Sequence, residues 1–355
     1  MADPGPTFEN AMPAEDFPAF LDAAPDPVLV LCHNDADGLS AGAILLHTLR
    51  RAGRTVRHRI LGRGENAWDD AIRAEVQRQA PGTVVVADLG TGVGDVLPGV
   101  PTLVIDHHVP RGVPGAARVL SGLAEDPAPT TSLLAFRCAR ALLGAEADDL
   151  LWLAALGIIG DMAEKDGFPE MAEARTSYPV TKLRTLAALV NAPRRTASGD
   201  AEPALRLLLA ASDPKDALSG DHPETARLEA AKAESSAAFE SARRVAPTIR
   251  GDVALIALDA PQQVHPLVAQ AWRGRLKDKI VIAANSGYRP GWVHFAARTA
   301  SGADLMGFLK DAAPPGAGKA YGGGHAQATG GALRTAEWPV FLKNIGFEPA
   351  ASEKA

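Results

Sequence analysis

Four short strand-like runs early in the chain, three of them apolar, constrain its fold more than any other feature: VLVLCH (28–33), TVRHRIL (55–61), TVVVADLG (83–90) and TLVIDHH (102–108). Each has the length of a strand, and a run that is apolar at successive positions suits a strand buried on both faces. Between the first two lies DGLSAGAILLHTLRRAG, whose apolar residues recur at helical spacing and whose Gly53 is a stop signal. A polar helix is expected around Trp68–Gln79. This alternation predicts βαβ units, hence an α/β fold with a mostly parallel, doubly wound N-terminal sheet and helices on both faces.

Further along, TTSLLAFRCARALLG and ADDLLWLAALGIIG read as apolar helices, and PRRTASGDAEP as a loop between helices. The Ala/Glu-rich stretch from His222 to Arg244 has no Gly or Pro after Pro223, so its helix propensity is strong. Strand-like runs return in VALIALD, KIVIAAN and WVHFAAR. The expected organisation is a loosely held arm at 1–26 with a short helix around Asp16–Ala23, and a first domain at 27–221. A connecting helix at 222–247 then leads to a smaller C-terminal α/β domain at 248–345.

Hydrophobic residues at 46 % and charged residues at 22 % exclude a disordered or fibrous chain. No run reaches the roughly 18–20 apolar residues of a membrane span, and MADPGPTFENAMPAEDF lacks the basic start and apolar core of a signal peptide. A cytoplasmic location with no membrane partner is expected. The net charge of −6 lacks the basic surplus of a protein that grips long duplex DNA. Two cysteines imply no disulfide framework, and Cys32 and Cys138 read as inert core thiols.

The chemistry sits at strand ends. His33, Asp35 and Asp37 follow the first run, Asp88 ends the third, and Asp106, His107 and His108 end the fourth. In an open parallel sheet the crevice beyond the strands' carboxyl ends is where ligands bind. Imidazole with carboxylate suits Mn²⁺, Fe²⁺, Zn²⁺ or Mg²⁺. Asp35, Asp37, Asp88 and Asp161 together would carry −4, which matches two divalent cations. DADG alone reads equally well as turn and helix cap, whereas paired histidines after an apolar strand rarely serve packing. The basic stretch Arg50–Arg63 reads as a solvated helix end, with Arg63 alone placed to reach a phosphate. Trp68, Trp272 and Trp292 read as packing residues, and Thr130, Thr131 and Ser132 as caps or phosphate contacts.

In order, HNDADGLSA, VVVADLG, VIDHH and LGIIGDM resemble the motifs of the DHH phosphoesterase superfamily, and YGGGHAQATGG resembles the glycine-rich signature of its associated C-terminal domain. The resemblance covers about residues 28–335. It implies a metal-dependent phosphoesterase with its active site in a cleft between two domains. Two divalent ions are implied, manganese first, with magnesium or cobalt as alternatives. His33, Asp35 and Asp88 would hold one ion, and Asp37, Asp88, His107 and Asp161 the other, with Asp88 bridging. His108 would face the scissile phosphate, and Asp106 would orient a histidine and set its tautomer. Arg298, Gly322, Gly323, Gly324 and His325 would contact the far end of the substrate, with Lys319 assisting.

The compact His-x-Asp-x-Asp spacing and the following GLSA resemble RecJ-type nucleases, while no room remains after residue 345 for the added nucleic-acid domain those enzymes often carry. The expectation is a minimal enzyme, monomer or homodimer, that removes nucleotides from an end of single-stranded DNA or RNA or of short oligonucleotides. A cyclic-dinucleotide phosphodiesterase, a pyrophosphatase and a non-catalytic scaffold are the alternatives.

Overall fold

A computed structural model describes residues 8–318 and 321–347, with the backbone alone at 323–325. Strands β1 (Val28–His33), β2 (Val56–Leu61), β3 (Thr83–Ala87), β4 (Thr102–Asp106) and β5 (Arg118–Ser121) form a sheet in the order β2-β1-β3-β4-β5, every pair parallel. Successive side chains of a strand point to opposite faces. Val28, Val30 and Cys32 accordingly join one core with Val85, Ala87, Leu103 and Ile105. Leu29 and Leu31 join another with Val84, Val86 and Val104. Both faces are covered, which is why these runs read as apolar at every position. The fifth strand was not expected, because RVLS is short and opens on an exposed arginine.

The helices that follow are α1 (Phe17–Asp22), α2 (Ala36–Arg51), α3 (Asp70–Gln79), α4 (Thr131–Leu143) and α5 (Leu151–Gly160). After them come α6 (Pro169–Ser177), α7 (Val180–Val190), α8 (Glu202–Ala210), α9 (Pro214–Ala217) and α10 (Pro223–Ala242). Residues of α2, α4, α5, α7 and α8 fill the first core, whereas Ile72 and Val76 of α3 cover the opposite face. Within residues 8–26 the expectation of a loose arm is corrected. Phe17 and Leu21 are buried in the first core, Met12 N–H donates to Val119 O at 2.9 Å, and Val119 N–H to Asn10 O at 3.0 Å. Residues 10–12 thereby run along the outer edge of β5, joined by a parallel bridge from Ala11 to Val119.

The chain divides into two units, Met1–Arg194 with Gly199–Lys232, and Arg195–Ser198 with Ala233–Ala355. In the second unit, β6 (Thr248–Arg250), β7 (Val253–Leu258), β8 (Ile280–Arg289), β9 (Trp292–Thr299), β10 (Gly323–His325) and β11 (Ala328–Arg334) form a sheet ordered β10-β11-β9-β8-β7-β6. Only β7 and β8 pair in parallel. Helix α11 (His265–Arg273) packs on one face, and α12 (Leu305–Ala312) and α13 (Trp338–Asn344) on the other. Gly323–His325, expected to contact substrate, form an edge strand paired with Ala328–Gly330.

Candidate metal centre

The loop after β1 delivers three of the expected residues. His33 ends the strand, Asp35 is the N-cap of α2, and Asp37 lies in its first turn. Asp35 Oδ1 accepts from Gly38 N–H at 3.1 Å, and its Oδ2 lies 2.9 Å from Arg194 Nη1 and 3.0 Å from His33 Nδ1. Burial works against the charge on Asp35, yet His33, Arg194 and the Gly38 N–H outweigh it and hold its pKa well below the carboxylate range.

Asp37 is only 1 % exposed, and both of its oxygens rest on the start of another helix. They accept from Thr131 N–H at 2.8 Å and Ser132 N–H at 3.0 Å, in the first turn of α4. Unpaired N–H groups and the dipole make a helix N-terminus a natural seat for an anion. Burial and the neighbouring Asp161 nevertheless push the Asp37 pKa up to about 6. Gly157 of α5 makes this approach possible, because a Cβ there would stand 2.1 Å from Ser132 Oγ and 2.5 Å from Asp37 Oδ1.

Asp88 follows β3 in the left-handed region, at φ 64°. Such backbone strain in a residue other than glycine collects at functional positions. Its N–H donates to Ile105 O at 3.1 Å, and its Oδ1 accepts from Thr131 Oγ1 at 3.0 Å. Burial, Asp37 and Asp35 raise its pKa well above the usual carboxylate value.

The end of β4 supplies Asp106, His107 and His108. Asp106 is 2 % exposed, and its Oδ2 accepts from Gly90 N–H at 2.7 Å. Its Oδ1 accepts from His108 N–H at 2.7 Å and lies 3.2 Å from His108 Nδ1. Asp106 thus orients His108 rather than His107, and its hydrogen bond raises the His108 pKa. His107 Nε2 lies 3.1 Å from Asp161 Oδ2, 3.6 Å from Asp88 Oδ1 and 3.9 Å from Asp37 Oδ2. Asp161 arrives as the C-cap of α5, its N–H donating to Gly157 O at 3.0 Å.

Three overlapping groups could hold a metal ion: His33 with Asp35 and Asp88, Asp37 with His107 and Asp161, and Asp88 with His107 and His108. A fit test comes from two buried ring nitrogens. His33 Nδ1 is 3.0 Å from Asp35 Oδ2 and 3.5 Å from Asp88 Oδ2, yet like His107 Nε2 it has no hydrogen-bond partner of proper geometry. Such atoms are costly to bury without a partner, and a cation shared with the neighbouring carboxylates would satisfy each. Without one, burial opposes charge on both rings, but the surrounding carboxylates prevail and hold His33 at about 10 and His107 at about 9. The donor set of imidazole and carboxylate fits Mn²⁺ or Mg²⁺.

Two residues at this site escaped the sequence reading. Arg194 pairs with Asp35, and Asn191 Oδ1 accepts from Ala36 N–H at 3.0 Å. Thr131 and Ser132, read as caps or phosphate contacts, instead hold the carboxylates of Asp37 and Asp88. In the basic stretch, Arg51, Arg54 and Arg59 form ion pairs with Asp149, Asp26 and Glu65. Arg63 packs where a Cβ on Gly199 would stand 2.5 Å from its Nε. Trp68 is buried, its Nε1 donating to Gly94 O at 2.9 Å, and Trp292 lies under the Arg334 guanidinium.

The second unit carries the remaining expected residues. Arg298 Nη1 donates to Ala297 O at 2.8 Å and Thr329 O at 3.0 Å, and burial with Arg273 nearby lowers its pKa. Arg298 and His325 occupy one row of the sheet, each registered opposite Ala328. Gly322 has φ 76°, a glycine conformation, and leads into the edge strand. Lys319 and the His325 side chain lie outside the described residues.

Comparison with known proteins finds no matching family model and no matching curated protein. Among solved structures the chain is similar to exonuclease RecJ bound to manganese, with 22 % identity over 94 % of this chain and 93 % of that one, at a TM-score of 0.71. The chain has the RecJ-type DHH fold. RecJ from Thermus thermophilus in complex with Mn²⁺ matches at 23 % identity and a TM-score of 0.67, over 97 % of this chain, which spans 56 % of that longer protein. The DHH domain of a member of a ribosomal protein family matches at 16 % identity and a TM-score of 0.59, over 93 % of this chain and 89 % of that one.

Proposed function

We propose that the chain is a metal-dependent phosphodiesterase of the DHH superfamily that hydrolyses single-stranded or short oligonucleotides from an end and releases mononucleotides. The observation that carries this reading is the convergence of His33, Asp35 and Asp88 with Asp37, His107 and Asp161 in adjoining groups. His33, Asp35 and Asp88 would hold one divalent ion, and Asp37, Asp88, His107 and Asp161 the other. When bound, a pair of such ions roughly 3.5–4 Å apart supplies activation of a water and neutralisation of the phosphoryl oxygens.

The protein's own part is to fix these groups in advance. Thr131 and Ser132 anchor Asp37 and Asp88 from a helix terminus, so the carboxylates need no rearrangement to receive cations. Asp106 holds His108 in the tautomer with the proton on Nδ1 and favours its protonated form. The half-exposed His108 ring is suited to donate a hydrogen bond or a proton to the phosphate ester. Arg298, Gly322, Gly323, Gly324 and His325 would contact a more distant phosphate or the substrate's end. No helix among the described residues is long and apolar enough to cross a membrane.

A side-by-side assay with Mn²⁺ on a 5′-labelled short single strand, cyclic dinucleotides, pyrophosphate and polyphosphate tests the reading. Mononucleotides from the short strand are expected, and activity confined to pyrophosphate would overturn it.

A further inference from the structure

Within the first unit, the large apolar side chains exposed among the described residues are Val93, Val109, Val113 and Met162. None is scattered. Val93 lies on the loop after β3, which begins with Asp88. Val109 and Val113 lie on the loop after β4, which begins with His107 and His108, and Met162 directly follows Asp161. The two valine-bearing loops are tied together, with Gly94 N–H donating to Val113 O at 3.0 Å and Arg111 N–H to Thr91 Oγ1 at 3.2 Å. The segments that leave Asp88, His108 and Asp161 thus each carry an exposed apolar side chain within five residues.

Met162 is the extreme case. It is 89 % exposed and sits at φ 62°. Its N–H donates to Ile159 O at 3.1 Å, and Ala163 N–H donates to Ile158 O at 3.0 Å. That pair of bonds is the Schellman ending of α5, which places Met162 at the left-handed position where glycine is the usual residue. A methionine there is strained, and at this exposure it recovers little by packing within the chain. Strain at a functional position is tolerated where the side chain serves something else.

We infer that Met162, with Val109 beside the paired histidines, contacts the face of the nucleobase next to the scissile phosphate. The inference rests on the phosphodiesterase reading above. A phosphodiester held at His107, Asp161 and Asp88 carries a nucleoside on at least one side, and Val109 and Met162 are the exposed apolar residues directly next in the chain to His108 and Asp161. A polarisable thioether without a fixed partner suits the flat face of any base, so the contact favours a base over none while selecting weakly among bases.

The test compares wild type, Met162→Gly and Met162→Leu on a short single strand and on the same strand with abasic nucleotides at its terminal positions. Glycine is the favoured residue at this place, so the fold should hold, as the thermal midpoint will show. Met162→Gly should raise KM for the ordinary strand about tenfold, the scale of one buried apolar contact, with kcat and bound manganese unchanged. KM for the abasic strand should be the same in both proteins, and Met162→Leu should restore most of the loss. Equal losses on both strands, or no loss on either, would overturn the base contact. Loss of manganese from Met162→Gly would also overturn it, by assigning the side chain to the support of Asp161. A wild type inactive on every phosphodiester would bring down the functional reading and this contact together, whereas activity without preference for a base removes the contact alone.

Discussion

Asp37 and Thr131 are 94 residues apart in sequence, yet the carboxylate of one rests 2.8 Å from the backbone N–H of the other. One helix start (α2) thus presents a carboxylate that a second helix start (α4) receives. The Thr131 hydroxyl also holds Asp88 at 3.0 Å, so a single residue positions two acidic groups that would otherwise repel each other.

Gly157→Ala is expected to disrupt this arrangement from the third side. The added methyl would stand 2.5 Å from Asp37 Oδ1, and overpacking of this kind costs about 1–3 kcal/mol. Chemical denaturation should show that loss, and titration calorimetry a weaker affinity for Mn²⁺. An unchanged affinity would show that Asp37 does not depend on its seat on α4.

Asp88→Asn should abolish hydrolysis and at the same time stabilise the metal-free protein. Burial and two neighbouring carboxylates disfavour the charge on Asp88, and Asn keeps an acceptor for Thr131. A rise in the metal-free thermal midpoint of about 2 °C or more, together with weakened Mn²⁺ binding, is the expected pair of results.

Arg194→Gln removes a cation 2.9 Å from Asp35 Oδ2. If Asp35 binds metal, that guanidinium competes with it, so the variant should bind Mn²⁺ several-fold more tightly in calorimetry. Weaker binding would mean that Arg194 serves to hold Asp35 in place.

His108→Ala should keep its manganese and lose about 10²- to 10⁴-fold in kcat, the usual contribution of a positioned acid. Asp106→Asn should fall between this variant and wild type, since it weakens the orientation and protonation of His108 but leaves the ring in place. Metal analysis beside the kinetics separates the two roles.

The second unit should weaken in acid through His265. That ring is 4 % exposed, and burial, with His294 and Arg298 nearby, lowers its pKa to about 3. It is neutral when folded but gains a proton when unfolded below its ordinary value of about 6.5. Its contribution is therefore complete above pH 6.5 and declines as pH falls toward 3, by about 1.4 kcal/mol per pH unit. His265→Gln should flatten the fall in stability between pH 6.5 and 5, read by urea denaturation.

The apolar runs made the parallel sheet legible, and with it the rim where His33, Asp35, Asp37, Asp88, His107 and His108 lie, because a strand's carboxyl end is marked in the sequence. Asp161 was not accessible that way: it ends a helix, and only the motif resemblance pointed to it. Arg194 and Asn191 were invisible, since their partners lie 159 and 155 residues away and no local pattern encodes the contact. In the second unit β6, β10 and β11 went unread, two of them being only three residues long and the third rich in small residues and glycine.

The bridge between Ala11 and Val119 has a consequence for handling the protein. Residues 10–12 occupy part of the outer hydrogen-bonding groups of β5, and an uncovered strand edge is a template on which another molecule can add its own strand. A chain trimmed to begin at Pro27 would keep every residue of the candidate metal centre, yet bare that edge together with the sockets vacated by Phe17 and Leu21. Its characteristic failure would be self-association through β5 during expression and concentration, long before any defect in chemistry could be measured.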